Sequence, residues 1–345
     1  MLGRRQRLEN ETKTPKRVPV KRWIVLGLIL LGIYAAFIGP SILKPLSPTV
    51  VLPPEPIGLS IAGFQITNTI LATLIADIIL IIIAFSFSRF ASRGSLVPSG
   101  FHNVFETLVE FLWNSVQGIA GSKWARRVFP VVATIFLLIF TANLIKLVPG
   151  FESIGYLKER TEGVGYAAVK LGPVYTLDKG QPVEAQAEGT SQAAAGTAPC
   201  KSCELVPFLR GSATDLNFPL ALAVIAVVMT QVYGFWSLGP GYLEKFFQFG
   251  QLIRGGIFGM INFAVGLLEL LLEFAKILSF TFRLFGNIFA GALLLSIVGA
   301  LTAVVVPAGL YLFEIFFGVI QAYVFFLLAT VFISGAIVSH STEHG

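Results

Sequence analysis

Two apolar segments near the carboxyl end, at about residues 260–298 and 307–338, restrict the fold of this chain more than any other feature. A helix that crosses a bilayer needs about 20 predominantly apolar residues, and each segment is longer than that. Inside hydrocarbon, backbone polar groups must be satisfied within the segment itself, so such runs become helices. Shorter runs of the same kind lie at 23–42, 66–87, 128–148 and 218–238. Charged residues make up only 13% of the 345 residues and hydrophobic ones 55%, against roughly 25% charged in a soluble domain. The fold class expected is therefore an all-α polytopic membrane protein with about six membrane helices. The last two are read as long, tilted and forming a hairpin, since an overlong apolar helix accommodates by tilting.

The charge pattern orients the chain. Residues 1–22 hold eight cations, Arg4, Arg5, Arg7, Lys13, Lys16, Arg17, Lys21 and Arg22, against Glu9 and Glu11. The positive-inside rule places this tail in the cytoplasm. Residues 23–43 are read as an extra membrane anchor that is retained, because the long leading segment and the missing A-x-A site do not fit a cleaved signal peptide. The Pro- and Gly-rich stretch 44–65 then falls outside. Arg89 and Arg93 follow the next span, and a mixed helix over 101–119, with Glu106 and Glu110, is expected at the cytoplasmic interface beside Lys123, Arg126 and Arg127. Lys245 and Arg254 mark the same side, and the carboxyl terminus, 340–345, returns to it. Residues 151–211 form a polar insertion on the outer side, poor in packing material, with a flexible Ala/Gly/Thr-rich tract at 185–198. The net charge of +6 sits in the tail and short loops, which fits membrane orientation and not nucleic-acid binding.

Several functions lack their signatures. Cys200 and Cys203 form a lone C-x-x-C without the second ligand pair of a zinc site, and a local disulfide and two free thiols both stay open. Of the three histidines, His102, His340 and His344, the last two can share a helix face, but two ligands on a fraying tail make a poor metal site. No G-x-x-x-x-G-K-[ST] loop is present to bind nucleotide phosphates. No internal repeat supports an inverted-repeat transporter.

Chemistry is concentrated in a polar stripe. Glu269, Glu273, Lys276, Arg283 and Asn287 are spaced by 4, 3, 7 and 4 residues, which confines them to roughly 80° of one helix face at about 3.6 residues per turn. Glu314, Gly318 and Gln321 share a face of the final segment. Two helices so striped can line an aqueous path and turn their other faces to lipid or protein. Glu273 and Lys276 also suit a simple i,i+3 ion pair. Arg283 is different: no acid lies within four residues on either side. An arginine at mid-bilayer depth costs about 2.5–3.5 kcal/mol on insertion scales and cannot escape by deprotonating. Its counter-charge must come from another helix or another chain. A fixed cation there can hold a mobile carboxylate ionised and prevent protons from passing directly.

The sequence Arg283-Leu284-Phe285-Gly286-Asn287-Ile288-Phe289-Ala290-Gly291 resembles the signature of subunit a (subunit 6) of the rotary ATP synthase membrane sector. Asn143-Leu144 with Leu147-Val148-Pro149-Gly150-Phe151, Pro207-Phe208-Leu209-Arg210 with Asp215-Leu216-Asn217, and Gln321-Ala322-Tyr323-Val324-Phe325 resemble further family segments, so the similarity spans about 66–344. The resemblance implies a proton-translocating stator, not an enzyme in its own right and without a cofactor, in a bacterial inner membrane. Its partners would be a ring of c subunits, peripheral-stalk b subunits, the rest of the complex and lipid. Two offset half-channels would connect the c-subunit carboxylate to opposite sides. By the match, Arg283 faces that carboxylate with Gln321 beside it, Asn287 and Glu314 line the outer half-channel, and Glu269 lines the cytoplasmic one. Asp215 and Asn143 near the outer entrance, and Glu273 and Lys276, are secondary candidates.

One departure matters. Position 292, which often carries His or Glu in the family opposite an ionisable group seven residues before the glutamine, is Ala292, while Glu314 keeps the second place. Water or another side chain must complete that route. Two competing readings are a stand-alone secondary transporter that binds an anionic substrate at Arg283, and a membrane enzyme using Glu273, His340 or His344.

Overall fold

The computed structural model describes residues 53–61, 63–92, 100–148, 150–160, 164–184, 200, 202–246, 256–302 and 305–338, with six helical positions between 23 and 34. The basic tail, most of the anchor, the tract at 185–198, Arg93, Arg254, His340 and His344 lie outside these residues.

Five long helices follow the expected apolar runs: α1 (Asn68–Ser92), α2 (Phe101–Ile145), α3 (Asn217–Leu238), α4 (Gly256–Leu301) and α5 (Val305–Ile337). Asn68–Phe90, Phe101–Ile145, Asn217–Leu243 and Val306–Ile337 are long and apolar enough to cross a membrane. At 1.5 Å per residue α4, with 46 residues, extends about 70 Å, well beyond a hydrocarbon core of about 30 Å.

The mixed helix and the third span of the sequence reading turn out to be one element, α2, broken at Gly121 (φ 72°, ψ 160°). That left-handed backbone is open to glycine at no steric cost and divides an interfacial half from a membrane half. α2, α3, α4 and α5 share one core, in which Val132 and Phe136 of α2, Ala226 of α3, Leu284 of α4 and Phe326 and Ile333 of α5 are buried. By contrast α1 turns Ile78, Ile81, Ile82 and Phe85 outward, which is favourable where the surrounding solvent is itself apolar.

Residues 151–211 differ from expectation. In place of a polar loop they form a four-stranded antiparallel sheet of β3 (Gly155–Glu159), β4 (Val164–Leu171), β5 (Val174–Glu184) and β6 (Cys203–Pro207), in the order β3-β6-β4-β5. Upstream, β1 (Pro56–Ile61) and β2 (Phe64–Thr67) form a hairpin in the Pro- and Gly-rich stretch placed outside and the first two residues of the expected span after it. These strands are short, and backbone pairing holds them more than a large core does. Glu159 pairs with Cys203 and Gly155 with Pro207, and a disulfide joins Cys203 to Cys200. Tyr156 Oη donates to the Pro56 carbonyl at 3.0 Å and Arg210 Nη1 to that of Pro53 at 3.2 Å, so sheet and hairpin form one cap at one end of the helices.

Candidate functional site

Asn68, fully buried, fastens α1 beneath this cap: Oδ1 accepts from the Glu55 amide at 3.3 Å and Nδ2 donates to the Pro207 carbonyl at 3.3 Å. Asp215 is also buried there. It accepts from Thr69 Oγ1 at 3.1 Å and from the Asn217 amide at 3.1 Å, the second bond closing an Asx-turn just before α3. Its bonds are those of a fastening for α1 and α3. Asp215→Asn keeps an acceptor for the Asn217 amide and meets Thr69 with the direction reversed, Nδ2 donating to Oγ1, and is therefore expected to leave proton pumping near normal when normalised to the chain in the membrane. Asp215→Ala loses both bonds, each worth about 1 kcal/mol net, and should lower that amount. Loss of pumping by assembled Asp215→Asn would return Asp215 to the proton route.

A cavity of about 230 Å³ lies between the cap and the second half of α4, lined by Glu55, Glu152, Arg210, Thr214, Ala292 and Ser296 among others. Ala292, the position without its expected ionisable group, faces this space. Burial, and after it the neighbouring Glu204, pushes the Glu55 carboxyl above its ordinary range. A raised carboxyl favours the native state while it is protonated, and that advantage is lost as pH rises through the shifted range. Glu55→Gln should therefore raise the thermal stability of the detergent-solubilised complex at neutral pH. The gain should vanish below about pH 4, where the carboxyl is neutral in both folded and unfolded states.

Beyond the cavity, Glu314 of α5 accepts a hydrogen bond and ion pair from Lys146 Nζ, at the end of α2, with side chains only 9% and 6% exposed. Sequence reasoning missed Lys146. A cation at the end of an apolar run reads as one that snorkels to the interface, and its partner is 168 positions away. Asn143, one turn earlier, donates to the Gly318 carbonyl at 3.1 Å. A Cβ on Gly318 would lie 3.2 Å from that of Asn143, so α2 packs tightly against this part of the α5 stripe.

One α4 turn past Arg283, Asn287 Nδ2 donates to Oε1 of buried Gln321 at 2.6 Å. The other amide atom, Gln321 Nε2, is a buried donor with no acceptor among the described residues. Arg283 itself is exposed on α4 and makes a long contact, Nη2 to Ser279 Oγ at 3.4 Å. No carboxylate among the described residues lies within ion-pair distance of it.

At the opposite end of the bundle, Glu273 is buried and held twice, by Lys276 Nζ at 2.8 Å and by Gln231 Nε2 at 2.9 Å. Tyr242 Oη in turn donates to Gln231 Oε1 at 2.7 Å. Gln231 and Tyr242 were not singled out from the sequence, since neither is unusual in its own segment. Lys276 also lies over the Phe332 ring, 4.9 Å from its centroid. Glu269 is half-buried one turn earlier on the same face. Polar groups thus gather on either side of Arg283, Asn287 and Gln321: Glu269, Glu273 and Lys276 of the α4 stripe on one, the Lys146–Glu314 pair of α2 and α5 on the other.

The ATP synthase A chain family matches residues 70–334. The chain belongs to this family. Named relatives agree. ATP synthase subunit a of Mycobacterium ulcerans (strain Agy99) is 27% identical over 282 residues, 81% of this chain and 90% of the relative. The protein of the same name from Helicobacter pylori (strain Shi470) is 25% identical over 281 residues, 81% and 96% of the two chains. Membership makes the chain a multi-pass membrane protein and the proton-translocating stator subunit of an F-type ATP synthase. Its family partners are the c-ring and the rest of that complex, and nucleotide chemistry is not its own.

Proposed function

We propose that Arg283 is the fixed cation of this stator and that two proton paths reach it from opposite ends of α4. The observation that carries this reading is an arginine with no carboxylate partner in its own described chain, exposed between two polar clusters. A carboxylate on a passing ring subunit completes the pair. Beside Arg283 that carboxylate is held ionised. Moved away from it, toward the cavity end, it takes up a proton and becomes neutral enough to travel through lipid. On the far side it releases the proton toward Glu269, Glu273 and Lys276 and is drawn back to the arginine. The Asn287–Gln321 pair supplies polar groups at the point of exchange, with Gln321 Nε2 an available donor.

The cap end is assigned to the outer face of a bacterial inner membrane and the Glu273 end to the cytoplasm. Lys123, Arg126 and Arg127 support this. Arg127 stacks on Trp124 and Trp236, 5.2 and 4.7 Å from their rings, in the manner of an interfacial aromatic belt. Both termini are then cytoplasmic, and the basic amino-terminal tail agrees. Peripheral-stalk b subunits and lipid cover the remaining apolar surface. A stand-alone transporter is not favoured by the family assignment. Proton pumping by Arg283→Ala in membrane vesicles tests the reading.

A further inference from the structure

We infer that Lys146 is a proton-exchanging residue of the outer path, acting as the direct partner of Glu314; the inference rests on the reading that this path runs through Glu314. Neither residue of the pair lines the cavity, but each touches a glycine that adjoins or bonds to the lining. On one side the lysine stem runs against Gly211, where an added Cβ would lie 3.0 Å from Lys146 Cδ. The Gly211 amide donates to Glu152 Oε1 at 3.0 Å, and Glu152 lines the cavity. On the other side, a Cβ on Gly291 would lie 3.4 Å from Glu314 Oε1, and the next residue, Ala292, lines the same cavity. The two glycines leave the space in which the ammonium and the carboxylate meet.

A lysine is suited to exchange where an arginine is not. An amine can in principle give and take a proton, whereas a guanidinium stays charged. The step conserves charge and atoms: the proton moves from Lys146 Nζ to the Glu314 carboxylate, leaving an amine and a carboxylic acid. Water in the cavity returns a proton to the amine, and Glu314 passes its own toward Asn287, Gln321 and the ring carboxylate. In the opposite direction the same moves run in reverse. Because the pair is buried, the neutral form costs no exposed charge, and the ionised form retains its ion pair.

The test compares Lys146→Arg, Lys146→His and Glu314→Gln in the whole complex. ATP-driven proton pumping in inverted membrane vesicles is normalised to the assembled chain. Arginine keeps the charge and the ion pair but cannot exchange, so pumping should fall at least tenfold; histidine exchanges protons and should stay within threefold of wild type. Wild-type pumping by Lys146→Arg, or equal losses with Arg and His, overturns the inference. Where arginine prevents assembly, Lys146→Met/Glu314→Gln, which buries no charge, replaces it. Two members of one relay should not add, so the double variant should pump like Glu314→Gln alone, and a further tenfold loss overturns the inference. Normal pumping by Glu314→Gln removes the route through Glu314 itself. Slow Glu314→Gln with normal Lys146→Arg removes only the lysine.

Discussion

Arg283→Ala is expected to abolish coupled proton transport while the chain still inserts and assembles. Insertion should survive because Arg283 is exposed and bonded weakly within its own chain, through Ser279 Oγ at 3.4 Å, and because alanine removes a charge that is unfavourable at bilayer depth. Transport should not survive. Two unit charges 4 Å apart attract by about 4 kcal/mol at an effective dielectric of 20, and that difference is about a thousandfold in a rate or an equilibrium. Without it, nothing holds a ring carboxylate ionised between its two encounters, and protons can pass without turning the ring. Arg283→Lys keeps the charge but loses the planar fork and should be strongly impaired too. The check is ATP-driven acidification of inverted vesicles, followed by a pH-sensitive dye and normalised to assembled complex. Normal pumping by Arg283→Ala would falsify the assignment of this arginine.

The helices were legible because membrane helices announce themselves through length and composition alone. α1, α3 and α5 coincide closely with apolar runs, since in lipid the backbone has no alternative to pairing within the segment. The break at Gly121 was half visible: the sequence divides an interfacial segment from a span there, but a glycine between two helical stretches does not reveal whether they join. The sheet was not legible. β3 pairs with β6 across about fifty residues, and β5 runs straight into an Ala/Gly-rich tract that dominates the composition of the region.

At the site, what could be read was what one helix face determines. The spacing of Glu269, Glu273, Lys276, Arg283 and Asn287 fixes their common side, and the Glu273–Lys276 pair follows from i,i+3 geometry. Contacts between helices were not legible. Nothing in the sequence links Lys146 to Glu314, Gln231 to Glu273, or Asn287 to Gln321, because each depends on packing that brings distant segments together. Asp215 is a further case: its bonds to Thr69 and Asn217, which tie α1 to the start of α3, again depend on packing between distant segments.

Glu314→Gln should slow proton transport more than Glu273→Gln does, by about tenfold or more. Both acids are buried and paired with lysine, so the contrast separates path from scaffold. Glutamine at 314 can still accept a hydrogen bond from Lys146, but it cannot take up a proton, and it leaves an ammonium buried without its counter-charge, which costs several kcal/mol where breaking a buried pair has been measured. At 273 the loss is milder. Lys276 is 25% exposed and stacks on Phe332, so its ammonium can turn to water, and a glutamine there still reaches Gln231. Glu269 on the same face remains to carry protons at that end. The loss at 314 should appear in pumping and in ATP synthesis alike, since protons cross the same residue in both directions. Equal effects of the two substitutions, measured on matched amounts of assembled complex, would take Glu314 out of the path and leave the Lys146 pair as a fastening between α2 and α5.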